Sequence, residues 1–126
     1  MSARRPDPVA EAMKLQRAAA RQGFDWRNLD ELWHKLAEEV AELQQARSRA
    51  GRRDELGDLM FMLINISRHL GLNPEKVLAG ANRKFKRRYG YIHKHRRSLP
   101  SLGDARRLDA METLWQEAKR LERRRR

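Results

Sequence analysis

The stretch Asp30-Glu-Leu-Trp-His-Lys-Leu-Ala-Glu-Glu-Val-Ala-Glu-Leu43, followed after a short gap by Glu55-Leu-Gly-Asp-Leu-Met-Phe-Met-Leu-Ile64, decides the fold. Around the first, Leu29, Leu32, Trp33, Leu36, Val40 and Leu43 recur at spacings of three and four, the period of one helical face. Asn28 or Asp30 can cap that helix, and the pattern predicts that it continues to about Arg49. Gly51 is expected to break the chain. A next helix is predicted from about Arg53 to Leu70, ended by Gly71. It is apolar on nearly every side, which suits the centre of a bundle or an oligomer interface. A short turn between two helices makes them antiparallel neighbours.

Outward from this pair the helical period continues. A first helix is predicted over about Val9 to Arg21, with Met13, Leu15, Ala18 and Ala19 on its apolar side and Gly23 as its stop. Phe24 and Trp26, in the turn Gly23-Phe-Asp-Trp26, are expected to pack onto the core. Asn73-Pro-Glu75 is a good helix start, and a fourth helix is predicted from Pro74 to about Arg96, with Val77, Leu78, Ala81, Phe85, Tyr89 and Ile92 apolar. After the loop 98–103, a fifth helix begins near Leu108 and carries Met111, Leu114, Trp115 and Leu121. Neither a strand pattern nor an internal repeat is visible. The expected fold is all-α: an antiparallel bundle of about five helices in one domain over residues 9–121, between a flexible tail 1–8 and a basic tail 122–126.

Composition agrees. The 126 residues suffice for one core, and good helix formers dominate while β-branched residues are scarce. With no cysteine, disulfides and thiolate metal sites are excluded. The longest apolar run, Leu59 to Ile64, has six residues, too few for a membrane span, and no apolar segment follows the basic N-terminus as a secretory signal requires. A soluble, cytoplasmic protein is expected. The net charge of +12 favours an anionic partner such as a nucleotide or nucleic acid. That charge is uneven: residues 83–97 hold eight Lys or Arg and no acid, and residues 123–126 are all Arg.

The acids gather elsewhere. Glu42 lies four residues from Glu38 and three from Glu39, and Glu55 and Asp58 are three apart; on antiparallel helices the two acidic faces can converge. No basic residue lies three or four positions from Asp58, and core residues follow it, so its charge needs compensation. Hard oxygen ligands suit magnesium, with manganese as a substitute. The alternative is a solvated, salt-bridged face, since Lys35 can pair with Glu38 or Glu39. A magnesium ion on carboxylates commonly meets a phosphate. Lys84, Arg87 and Arg88 could clamp its oxygens, Lys84 and Arg88 sharing a face. Trp115 and Lys119 repeat that spacing, so that an aromatic could stack on a base while the lysine meets a phosphate; a Trp at helical spacing is otherwise core. His93 and His95 read as surface residues, and His34 and His69 have no convincing partner.

Taken in order, Arg17-Ala-Ala-Ala-Arg-Gln-Gly-Phe-Asp-Trp26, Lys35-Leu-Ala-Glu-Glu-Val-Ala-Glu-Leu43, Glu55-Leu-Gly-Asp-Leu-Met-Phe61, Asn65-Ile-Ser-Arg-His-Leu-Gly71, Ala81-Asn-Arg-Lys-Phe-Lys-Arg-Arg88 and Met111-Glu-Thr-Leu-Trp115 carry a resemblance. The chain resembles the MazG family of all-α nucleoside triphosphate pyrophosphohydrolases, most closely the C-terminal domain of its two-domain members. The resemblance implies magnesium-dependent cleavage between the α- and β-phosphates of a nucleoside triphosphate, a housecleaning role in the nucleotide pool, and a homo-oligomer, dimer or tetramer. It implies metal ligands at Glu39, Glu42, Glu55 and Asp58 and nucleotide contacts at Lys84, Arg88, Trp115 and Lys119. Lys84 and Arg88 would stabilise charge during the reaction. Glu38 completes the motif, with a role in a second metal or in orienting water. Two departures stand out: a single such domain, and a short, arginine-rich segment 43–54 between the acidic motifs. The rival expectation is a basic helical module that grips nucleic acid, which the acidic cluster would oppose.

Overall fold

Asp7 accepts a hydrogen bond from the Val9 N–H (2.9 Å) and, with Pro8 in the first turn, starts helix α1 (Pro8–Arg21). The computed structural model describes residue 5 and residues 7–125, and the rest of the expected N-terminal tail, residues 1–4 and 6, lies outside the described residues, as does Arg126. All regular structure among the described residues is helical. The chain divides into two units after Val77. The first holds α1, α2 (Leu29–Gln45), α3 (Arg49–His69) and the start of α4 (Pro74–Lys94). The second holds the remainder of α4, a 3-10 turn (Arg96–Ser98) and α5 (Arg106–Arg124). The all-α expectation holds.

In the first unit α3 packs against both α1 and α2. Leu32, Met62 and Ile66 form the core, covered by Trp26, Leu29 and Leu36, while Ala12 and Met13 are buried on α1. The expected apolar faces are only partly covered. Leu56, Met60, Phe61 and Leu63 on α3 remain 43–58% exposed, so this helix is not enclosed by its own chain. Phe24 departs from expectation outright: it is 83% exposed, and only Trp26 of that aromatic pair reaches the core. Leu15 and Ala18 on α1 also face outward, whereas Gln16 is buried.

The α2–α3 connection differs from the sequence expectation for a local reason. Helix α2 stops at Gln45, where Ala46 turns extended and its carbonyl accepts from Arg52 Nε (3.1 Å). Ser48 then caps α3, its Oγ accepting from the Gly51 N–H at 2.9 Å. Gly51 is therefore inside the first turn of α3 rather than a break. A Cβ there would stand 3.0 Å from Ser48 Oγ, so the glycine leaves room for the cap.

A polar staple joins the Gly23–Trp26 turn to the end of α3. Arg68 donates through Nη1 to Asp25 Oδ2 (2.9 Å) and through Nη2 to Asp25 Oδ1 (2.6 Å), and His69 Nε2 lies 3.0 Å from the same Oδ1. His69, for which the sequence offered no partner, thus has one. The Arg68 guanidinium holds the Asp25 carboxyl well below the usual carboxylate range, with His69 adding to the effect. In the second unit α4 and α5 meet through long side chains: Arg88 donates to Glu122, Tyr91 Oη donates to Glu117 (3.0 Å), and Phe85 packs against Trp115.

Because both partners of the Arg68–Asp25 pair are largely buried, Arg68→Ala is expected to lower the unfolding free energy by about 1–3 kcal/mol. A depressed native pKa gives a contribution that is complete above the ordinary carboxylate value and fades as pH falls through the lowered one. Urea midpoints of the two proteins should therefore converge only in strong acid; a gap that stayed constant there would count against the pair.

Candidate metal centre and its flanking cavity

Glu39 and Glu42 lie near the end of α2, and Glu55 and Asp58 lie in the first half of α3, on two helices that pack against each other. Glu39, Glu42 and Glu55 each offer a carboxylate oxygen within 4.8 Å of the others. Glu39 is buried, Glu55 half-buried and Glu42 exposed. Glu39 Oε2 and Glu55 Oε2 are buried and accept no hydrogen bond. Burial pushes the Glu55 carboxyl above its ordinary pKa, and Glu42, Glu39 and Asp58 push it further by proximity of like charge.

Compensation within the chain is incomplete. Lys35 Nζ lies 3.3 Å from Glu39 Oε1 and 3.4 Å from Glu38 Oε2, and Glu39 holds the ammonium above its usual range. Lys35 thus pairs as the salt-bridge alternative anticipated. Among the described residues Glu42, Glu55 and Asp58 have no ion pair. Converging hard oxygens, two of them buried and unpaired, fit a hard divalent cation. Asp58 is outside the three-residue group. It is exposed, its charge reaches Glu55, and it lines a cavity beside Glu39. Glu38 is outside the three-residue group, with Lys35 Nζ and His34 Nε2 each 3.4 Å from its carboxylate. His34 is therefore partnered, contrary to the sequence expectation. His93 and His95 are exposed, as expected.

That cavity, about 530 Å³, was not visible in the sequence. Its walls include Leu15, Phe24, Trp26, Phe61 and Met62, with Gln16, Asn65, Arg68, Glu39 and Asp58 as polar members. The residues come from α1, the turn after it, α2 and α3, so only tertiary packing assembles them. The one local hint was Asn65 and Arg68 at helical spacing on α3, where Arg68 Nη2 donates to Asn65 Oδ1 (3.1 Å).

The remaining expected site residues belong to the second unit. Lys84 is exposed and Lys119 half-buried, and neither has an ion pair among the described residues. Arg88 is largely buried. Its Nη2 donates to Glu122 Oε2 at 3.1 Å, and its guanidinium carbon stands 5.2 Å from the Trp115 ring centroid. Glu122 also pairs with Arg87 (3.5 Å), and Arg88 chiefly holds the Glu122 carboxyl below its usual range. Glu122 was expected at the start of a basic tail, but α5 runs to Arg124 and includes it.

An all-α chain with carboxylates converging from adjacent helices beside a cavity defines a class of helical proteins suited to binding a divalent cation. The chain belongs to the phosphoribosyl-ATP pyrophosphohydrolase family, whose model matches residues 8–85. It is 37% identical over 121 residues to the nucleoside triphosphate pyrophosphohydrolase of Escherichia coli K12, which covers 90% of this chain and 45% of that protein. It is 37% identical over 81 residues to the nucleoside triphosphate pyrophosphohydrolase/pyrophosphatase MazG of Thermotoga maritima (64% of this chain, 32% of that protein), and 41% identical over 71 residues to Bacillus subtilis YabN (56% and 14%). The MazG-type resemblance is thus sustained over most of the chain, which spans less than half the length of these curated relatives.

A cation held by the carboxylates should raise the melting temperature. At a free concentration about a hundredfold above its dissociation constant the gain is about 2.7 kcal/mol. The raised Glu55 pKa means that, without cation, stability falls as pH climbs from the ordinary carboxylate value through the raised one. A cation competes with that proton, so magnesium or manganese should shift the melting curve more at neutral pH than near pH 4.5. Equal shifts, or none, would argue for a solvated acidic face.

Proposed function

We propose that this chain is a divalent-metal-dependent nucleoside triphosphate pyrophosphohydrolase that converts a nucleoside or deoxynucleoside triphosphate to the monophosphate and pyrophosphate. The observation that carries it is the convergence of Glu39, Glu42 and Glu55, with unpaired buried oxygens, beside a cavity of nucleoside size. The names of the E. coli and T. maritima relatives favour a nucleoside triphosphate over phosphoribosyl-ATP as substrate. The role that follows is clearance of unwanted nucleotides from the pool.

Glu39, Glu42, Glu55 and Asp58 would hold the cation, magnesium with manganese as substitute. When bound, it would neutralise phosphate oxygens and ease attack at phosphorus. Around it the chain's own groups divide the work. Glu38, tethered by Lys35 and His34, orients or deprotonates the attacking water. Lys35 pairs with both Glu38 and Glu39 and offsets part of the negative charge there. Lys84, Arg88 and Lys119 meet the polyphosphate and stabilise its charge, and Trp115 contacts the nucleotide with Arg88 against its ring. Arg88 must share itself between Glu122 and phosphate, so Lys84 and Lys119 carry more of the electrostatic contact.

The assembly is a homo-oligomer, dimer or tetramer. The support is the apolar surface that α3 leaves uncovered. No helix among the described residues is long and apolar enough to cross a membrane, and a cytoplasmic location suits a nucleotide substrate.

Glu42→Ala and Asp58→Ala are each expected to reduce magnesium-dependent pyrophosphate release by at least about a thousandfold, the scale of losing a charge-stabilising group at a reacting centre. The helical circular dichroism signal should persist, since Glu42 and Asp58 are exposed. Full activity in either variant would remove that residue from the assignment. Full activity in both would remove the site.

A further inference from the structure

Nearly all of the net charge of +12 lies in the second unit. Residues 78–126 hold sixteen Lys or Arg against five Asp or Glu, while residues 1–77 hold thirteen against twelve. Within α4 this charge is ordered about Gly90. Residues three, four and seven apart share one side of a helix. For Gly90 these are Arg83, Lys86 and Arg87 before it and His93 and Lys94 after it, all exposed. Arg83, Lys86 and Lys94 have no ion pair among the described residues, and Arg87 stays 59% exposed beside Glu122. Helix α5 is met on another side of α4, where Phe85 packs against Trp115 and Arg88 donates to Glu122. The Gly90 face is thus separate from Lys84 and Arg88.

Gly90 itself serves no packing purpose within the chain. A Cβ there would meet nothing within 4 Å, and a glycine in a helix interior is destabilising relative to alanine. What the missing side chain does provide is bare backbone at the centre of a basic face, where another surface can approach closely. A second copy of the same face is a poor candidate, because its lysines and arginines would meet like charges. The face asks for a polyanion. From Arg83 to Lys94 it extends about 16 Å along the helix axis, a line of cations rather than a pocket for a small anion. Its five side chains include no apolar or aromatic group. It therefore offers nothing to insert into a lipid surface and no ring on which the bases of a single strand could stack. An α-helix fits the wide major groove of B-form DNA, whereas the major groove of duplex RNA is too narrow to admit one.

We infer that the Gly90 face of α4 is a docking surface for duplex DNA. Gly90 lets the helix settle at the major groove, and Arg83, Lys86 and Lys94, with Arg87 beside them, meet phosphates along its rims. Phosphate contacts of this kind hold the duplex without choosing its sequence. The inference stands apart from the nucleotide assignment above, since it uses none of the residues placed there and neither depends on turnover nor supplies it.

The test follows binding of the full chain to a fluorescently labelled DNA duplex of about two helical turns by anisotropy across a salt series. A dissociation constant of about 10⁻⁵ M or tighter is expected near physiological salt, weakening steeply as salt rises. Two variants each remove three positive charges: Arg83→Gln/Lys86→Gln/Lys94→Gln on the face, and Arg123→Gln/Arg124→Gln/Arg125→Gln at the end of α5. The first is expected to weaken binding at least about tenfold and to flatten the slope of log K against log salt by about 2.7, the share of three phosphates. The second should cost less than about threefold. Equal losses would mean that net charge alone binds DNA, and would overturn the inference. Gly90→Leu changes no charge and favours the helix, so its circular dichroism should match that of the unaltered chain while duplex binding falls at least about tenfold. Unchanged binding in Gly90→Leu overturns the inference, as does a full chain that does not bind the duplex. Unlabelled duplex RNA, single-stranded DNA and phosphatidylserine vesicles, each at equal phosphate concentration, should displace less of the labelled duplex than unlabelled duplex DNA does. Displacement by any of the three as complete as by duplex DNA overturns it too.

Discussion

Carboxylates repel, and the α2–α3 hairpin brings three of them to within 4.8 Å with two oxygens buried and unpaired. Something must hold these helices together against that repulsion. Beneath the acids lies the apolar cluster of Leu32, Met62 and Ile66, with Leu36 and Trp26 packed onto it. Burying such side chains contributes about 1.5–3 kcal/mol each, enough to tolerate a few strained carboxylates. Lys35 lies against Glu39 on one side, but burial, and then the neighbouring Glu42, Glu39 and Asp58, push the Glu55 carboxyl above its ordinary pKa. A divalent cation on these carboxylates would relieve that repulsion.

The parts of this arrangement differ in how openly the sequence carries them. Helical periodicity and acid spacing are local, so the two helices and their acidic faces could be read directly: Glu42 shares a face with Glu39, and Glu55 with Asp58. The exact turn could not, because Gly51 reads as a breaker until Ser48 is seen to need the space above it. The apolar positions of α3 were legible as apolar, but their exposure was not, since period alone cannot say which neighbours exist.

The cavity lies at the opposite extreme. Gln16 stands on α1 between Lys14 and Arg17 and looks like a surface residue until α3 presents the Phe61 carbonyl to it. Asp25 looks like a turn residue until Arg68 and His69 arrive from a distant part of the chain. Such groups acquire their chemistry from tertiary packing, and no spacing rule can supply it. The staple formed by Asp25 and Arg68 also keeps the aromatic turn against α3, so the salt bridge and the cavity wall are one construction.

The strong positive charge is the feature most easily overread. Eight basic residues over 83–97 suggest an open anion-binding face, yet Arg88 is committed to Glu122 and to the face of Trp115, and Arg87 shares the same carboxylate. A charge already paired contributes less field to an incoming anion, and a guanidinium packed on an indole is held in one orientation. Lys84 and Lys119 have no ion pair among the described residues, and a compact ammonium does not impose the planar geometry that a guanidinium does. Glu122 thus withdraws Arg87 and Arg88 from the open face, while the other six basic residues of 83–97 have no ion pair among the described residues.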